Sequence, residues 1–599
     1  MSRRLRSLAP AVALFLFLTA AAGIAPAGAA TPRALETIAE RTSFRTTGRY
    51  DEVERLCAEF AKAYPQAVRS FEFGRTPEGR PMLGLVVSTS GALTPADARE
   101  RGVPVMLAQG GIHAGEIDGK DAGFIALREM LQGKAARGAL DSFVFVFVPV
   151  FNVDGHERFG RNNRPNQVGP EEMGWRATSQ NFNLNRDYAK ADSPEMQAML
   201  KLLDAWDPVL YVDLHVTDGA QFEPDVSNTL EPTFAGDPGM QPAGRALIGE
   251  LNAALAAQGS IPLDFYPEFR VTDDPASGFE VTASPPRFST GYWGLRNRFG
   301  LLVETHSWKD YPTRVRVTRN ALVKLSEMMA KQGREWRKLA NESDARAAKL
   351  GGQEVVLDYE AGPHTTTIEF RGYAYTREPS AISGGLVTRY DTTKPQIWRV
   401  PLLDTVVPKV TVRAPRGAYV VPAAHAAWMG ERLSLHGIRF ERLERTLTGR
   451  NVEAFRATKV TFATRPFESH FTATIEGDWK TQRQDIPGGS LIVPIAQPKA
   501  RLILALLEPR SPDSYAAWGF FNAAFEQKEY LEPYVAEDIA REMMARDPAV
   551  AREFRERLAN DPEFAKDPEA RLEFFFQRHP SYDERLNLYP VFRIQSTRP

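Results

Sequence analysis

The stretch "QGGIHAGEIDG", residues 109–119, sets a histidine and a glutamate three apart, His113 and Glu116, with glycines on both sides. The chain holds nine histidines and many glutamates, so one His-x-x-Glu carries little by itself. Its meaning depends on its place. The run "VPVMLAQ" (103–109) leads straight into it, nearly continuous in apolar residues, as a strand covered on both faces reads. Three further runs share that texture: "SFVFVFVPVF" (142–151), "PVLYVDLH" (208–215) and "FGLLVETH" (299–306). Helical patterns such as "GKDAGFIALREMLQ" (119–132) and "SPEMQAMLKLLDAW" (193–206) lie between them. The alternation predicts an α/β fold with a mostly parallel mixed sheet flanked by helices, closed by a charged helix over 321–349. In such a sheet ligands bind outside the carboxyl ends of the strands. His113 and Glu116 follow the first run, Asn152 and Asp154 the second; His215 ends the third, and Glu304 lies near the end of the fourth. Four strands therefore bring polar side chains to one edge.

Zinc chemistry wants this set. A catalytic zinc site takes three ligands from His and Asp/Glu and leaves a position for water. His113, Glu116 and His215 make a His₂Glu set, two from one turn and the third from a separate strand. Water on such an ion loses a proton near neutral pH. Glu304, inside the apolar "GLLVETHSW", is the candidate general base, because a carboxylate there is costly to bury without a task or a partner.

The ordered set "IHAGE" (112–116), "FNVDG" (151–155), "GWR" (174–176), "NLNRDY" (183–188), "LYVDLH" (210–215) and "LLVETH" (301–306) resembles the zinc carboxypeptidase family, the carboxypeptidase A/B-like metallopeptidases, over roughly residues 45–330. The resemblance implies one Zn²⁺ per chain on His113, Glu116 and His215, with Glu304 passing a proton from the zinc water to the leaving amine. It implies Arg176 on the oxyanion of the tetrahedral intermediate, and Asn185 with Arg186 on the free C-terminal carboxylate of a peptide substrate. The tyrosine that closes over substrate is assigned to Tyr292 in "FSTGYWGLRNRFG". Two positions depart from the family pattern. Asn183 stands where an aspartate usually orients the first histidine, and Val216-Thr217 follow the third ligand in place of Ser-Tyr.

Length and composition frame the rest. At 599 residues the chain is long for one core, and 43% hydrophobic with 25% charged residues is a soluble globular composition. A net charge of −1 gives no nucleic-acid footprint. Residues 1–30, with the basic "MSRRLRSLAP", an apolar run and the small-residue end "PAGAA", read as a signal peptide, hence export to periplasm or medium with no transmembrane helix after cleavage. The single cysteine, Cys57, leaves no internal disulfide. The expected divisions are a catalytic domain over 31–350, a β-rich accessory domain over 351–508 and a helical region over 509–599, whose Asp-Pro pairs at 547, 561 and 567 suit helix starts. Gly-x-Ser-x-Gly, Walker A and His-Glu-x-x-His motifs are absent from the sequence. Two other functions stay open: a zinc amidase or deacylase acting on cell-wall peptides or N-acyl amino acids, and a non-catalytic peptide- or glycan-binding relic.

Overall fold

The computed structural model describes residues 32–596; the signal-peptide reading of 1–30 lies outside the described residues. The N-terminal block is built on an eight-stranded sheet. Its strands are β1 (Val68–Arg75), β2 (Pro81–Val87), β3 (Val105–Gly110), β4 (Val144–Val148), β5 (Leu210–Thr217), β6 (Val226–Glu231), β7 (Pro262–Leu263) and β9 (Phe299–His306). The two-residue β8 (Phe279–Glu280) belongs to another sheet. The order across the large sheet is β1-β2-β4-β3-β5-β9-β6-β7. The four runs singled out in the sequence are its centre, β4-β3-β5-β9, and pair in parallel. Every residue of β3, β4 and β5 is buried, which is why their sequences lack the polar alternation of a half-exposed strand.

Helices cover both faces. Tyr211 on β5 meets Trp293 of the helix Ser289–Leu295, with ring centroids 5.6 Å apart. Leu214 points the other way, so close to Gly119 that a Cβ there would stand 2.7 Å from the leucine Cβ. Odd and even positions of one strand thus feed two helical layers. On the Gly119 side, the helix Asp118–Leu131 packs against the 37-residue helix Tyr311–Ala347, longer at its start than the sequence reading over 321–349.

Residues 354–494 are rich in strands, including the long hairpins Thr365–Pro379/Leu386–Leu403 and Leu447–Phe462/Ala473–Ile486. They also hold the helix Ala426–Leu435. β8 pairs with the first hairpin, tying a loop of the N-terminal block to this region. In the tail, Asp547, Asp561 and Asp567 each cap a helix beginning at the following proline. The tail is not helical throughout. Phe592–Ile594 returns as a strand between Ala418–Val421 and Leu447–Phe462 in a six-stranded sheet.

Candidate metal centre

The chain leaves β3 through two glycines. At Gly110 a Cβ would stand 2.8 Å from the Pro149 carbonyl oxygen, and Gly111 has φ +62°, which side chains tolerate poorly. That turn delivers His113, and the Glu116 N–H donates to the His113 carbonyl at 2.9 Å. The following helix start is pinned by Asp118, which accepts from Thr305 Oγ1 at 2.9 Å and from Arg314 Nε at 2.8 Å. Thr305 adjoins Glu304, so the His113–Glu116 turn and the end of β9 are locked together. In register across the sheet, His215 on β5 lies beside Glu304 on β9.

His113, Glu116 and His215 converge. One ligand atom from each lies within 4.8 Å of the others, and all three residues are buried. His113 Nδ1 is 2.9 Å from Glu116 Oε1, and His215 Nδ1 is 2.9 Å from Glu116 Oε2. The outer ring nitrogens face acceptors: His113 Nε2 lies 3.1 Å from Asn183 Oδ1, and His215 Nε2 lies 3.1 Å from Asp213 Oδ2. Asp213 in turn accepts from Gln109 Nε2 at 2.9 Å. This is how metal-binding imidazoles are oriented, with acceptors behind fixing the ring.

The electrostatics suit a cation. Against the cost of burial, the charges of His113 and Arg164 hold the Glu116 carboxyl well below its usual range. Against the same cost, Asp213 and Glu304 raise His215 well above an ordinary histidine. Burial pushes His113 down to about 4, with the Glu116 carboxylate opposing the shift. Two nitrogens and a carboxylate with these partners fit a zinc ion.

Glu304 is 7% exposed, and its Oε2 has no hydrogen-bond partner among the described residues. Burial lifts its pKa to about 8, with His215 opposing the rise and Glu116 and Asp213 adding to it. Its carboxyl lines a cavity of about 650 Å³ shared with the three converging side chains and with Arg176, Asn185 and Arg186. Arg176 Nη1 lies 3.4 Å from Glu116 Oε1. Asn152, which the sequence placed at the same edge, supports that arginine by donating to its carbonyl at 3.1 Å. Asp154 lies elsewhere, bonded to Thr76 and Ser179. Asn185 is buried with its Oδ1 unpartnered among the described residues. Arg186 stacks 4.3 Å over Phe288 and makes no ion pair among the described residues.

Tyr292 is a correction. It is fully buried away from the cavity, its hydroxyl 2.8 Å from His436 Nδ1 and next to Arg296. Tyr266, in the loop "DFYPEFR" (264–270), lines the cavity instead. Desolvation, then the charges of Glu304, Glu116 and Asp218, hold its phenol well above the usual range. Arg164 was also missed. It pairs with Glu116 Oε1 at 3.0 Å, and its Cγ lies 2.5 Å from where a Cβ on Gly115 would stand. Neither residue has a local motif; each arrives from a loop whose path the spacing does not set.

A family model described as zinc carboxypeptidase matches residues 53–233. "Carboxypeptidase 2" of Trichophyton rubrum is 24% identical over 463 residues, covering 74% of this chain and 79% of its own. Its namesake in Trichophyton equinum is 23% identical over similar shares. Among solved structures, a metallo-carboxypeptidase from Burkholderia cenocepacia aligns with 17% identity over 47% of this chain and 69% of its own, at a TM-score of 0.35. Carboxypeptidase A from Helicoverpa armigera aligns with 16% identity over 49% and 74%, also at 0.35. Residues 53–233 match the zinc carboxypeptidase family model, and the relatives that align beyond that stretch carry the name carboxypeptidase.

Proposed function

We propose that the protein is an exported carboxypeptidase that holds one Zn²⁺ on His113, Glu116 and His215 and removes the last residue from peptides with a free C-terminal carboxylate. The observation that carries this is the shared cavity: it is lined by a buried His₂Glu cluster, by Glu304, whose Oε2 has no hydrogen-bond partner among the described residues, and by Arg186, which makes no ion pair among them. Zinc bound there supplies Lewis acidity, polarising the scissile carbonyl and lowering the pKa of water. The remaining work falls to the chain's own side chains. Glu304 accepts the proton of the attacking water and delivers it to the leaving amine. A dication bound beside it would favour the ionised carboxylate, the form that accepts a proton. Arg176 offers its guanidinium to the oxyanion. Arg186 and the Asn185 amide bind the substrate carboxylate, a task suited to a fork of N–H donors. Tyr266 lines the cavity beside them.

Export rests on the basic–apolar–small pattern of residues 1–30. Among the described residues no helix is long and apolar enough to cross a membrane. The periplasm and the medium are the two destinations.

The test is zinc-loaded protein incubated with a mixed set of peptides and read by mass. Stepwise shortening from the C-terminus, abolished by chelator and restored by zinc, supports the reading. Cleavage at internal bonds, or intact peptides in the presence of stoichiometric zinc, overturns it and directs the search to amide or N-acyl substrates.

A further inference from the structure

One oxygen atom links the metal cluster to the turn that carries Asn185 and Arg186. Asn183 Oδ1 lies 3.1 Å from His113 Nε2 and also accepts the Asn185 N–H at 3.0 Å, capping the short turn Leu184–Arg186. The position of Asn183 therefore sets both the orientation of the first ligand and the placement of Asn185 and Arg186. Its own anchor comes from the accessory region. The Asn183 N–H donates to Glu468 Oε2 at 3.0 Å, across 285 residues of sequence.

Glu468 sits at the tip between the strands Leu447–Phe462 and Ala473–Ile486, in a tight turn closed by mutual backbone bonds between Phe467 and His470. Glu468 and Ser469 have φ +46° and +71°, a left-handed pair that glycine or asparagine usually fills. Contacts on both sides hold the tip in place. Phe467 stacks on Trp518 with planes 9° apart, and His470 Nε2 lies 2.7 Å from Asp192 Oδ2 in the catalytic block. The tip also faces Arg186: desolvation and the like charges of Arg176 and Arg287 lower that guanidinium's pKa, and Glu468 opposes them.

We propose that Glu468 is a positioning residue of the carboxypeptidase site, by which the accessory region fixes Asn183 and, through it, both the first metal ligand and the turn that grips the substrate carboxylate. The proposal rests on the function proposed above for the cavity. It gives the hairpin 447–486 a supporting role behind the site, through Asn183.

Two variants separate positioning from charge. Glu468→Gln keeps an acceptor oxygen and loses the charge; Glu468→Ala loses both. Positioning predicts that Glu468→Ala raises KM for a free-acid peptide about tenfold with kcat changed far less. It also predicts that Glu468→Ala weakens zinc binding several-fold by chelator competition, and that Glu468→Gln restores both values. If the carboxylate acted only through its field, both variants would lower KM by freeing Arg186, and the proposal would be wrong. It is equally overturned if Glu468→Ala matches the wild type in KM and zinc affinity, or if both variants lose Tm and function together. Should the wild type release no C-terminal residue, the carboxypeptidase reading falls, while the zinc-competition arm still decides the role of Glu468.

Discussion

Glu304 makes the sharpest residue-scale prediction. With Oε2 unpartnered among the described residues and a cavity in front, a change to glutamine preserves shape and removes the base. Glu304→Gln is expected to lower kcat by about 10²–10⁴-fold while zinc content by metal analysis stays at one per chain. His215→Ala removes a ligand and is expected to lose the metal itself. The positions of His113, Glu116, His215 and Glu304 were legible in the sequence because each follows or ends an apolar run whose direction is fixed by the sheet. Tyr292 was misplaced for the opposite reason. Between Leu263 and Ser289 the chain has only a three-residue helical turn and the two-residue β8, so no periodicity gives the register of that loop. The cavity-lining tyrosine sits 26 residues upstream of the one chosen, at Tyr266.

At the scale of elements, β9 carries Glu304 and is anchored from its far end. Phe299 opens the strand and meets Trp336 of the long helix edge-on at 5.8 Å, with the tryptophan 3% exposed. Trp336→Ala should cost about 3–5 kcal/mol in denaturant unfolding, since it leaves a cavity under that strand. A cost below about 1 kcal/mol would show that the helix does not anchor β9. The accessory sheet depends on a shorter element. Phe592–Ile594 bridges Ala418–Val421 and the hairpin that bears Glu468, and Arg593 buries its guanidinium against Glu508. Deleting residues 591–599 should open that seam. Limited proteolysis would then cut the hairpin tip at 463–472 faster than in the full chain, with a rise in KM like that of Glu468→Ala. Equal proteolysis would mean the hairpin is held from elsewhere. Nothing in "FRI" marks a strand, because three residues carry no alternation to read; the Asp-Pro helix starts, by contrast, announce themselves chemically.

The whole molecule has an acid weakness built into its histidines. His436 is buried between Tyr292 and the Ala189 carbonyl, and burial pushes its pKa down to about 3; burial does the same to His306. An unfolded histidine titrates near 6.5. Between those values the unfolded chain binds the proton and the folded one does not, so stability is full above about pH 6.5 and falls as pH drops toward 3. His436→Asn should make the slope of unfolding free energy against pH shallower by up to about 1.4 kcal/mol per unit in that window. An unchanged slope would show that His436 is charged in the folded protein. At this scale the sequence showed an α/β block, a strand-rich middle and a capped helical tail. It could not show that the middle and the tail close over the catalytic block, since contacts such as Asn183–Glu468 and Arg287–Asp513 join residues hundreds apart.

The measurement closest to the central claim compares one peptide as its free acid and as its C-terminal amide, with kcat/KM taken for zinc-loaded wild type and for Arg186→Ala. A carboxypeptidase that reads the terminal carboxylate through Arg186 should favour the free acid by about a hundredfold or more, roughly the 2.7 kcal/mol of a charge-assisted pair, and lose most of that preference in the variant. Equal cleavage of acid and amide by the wild type would contradict the account, leaving a zinc hydrolase whose cavity recognises something other than a chain end.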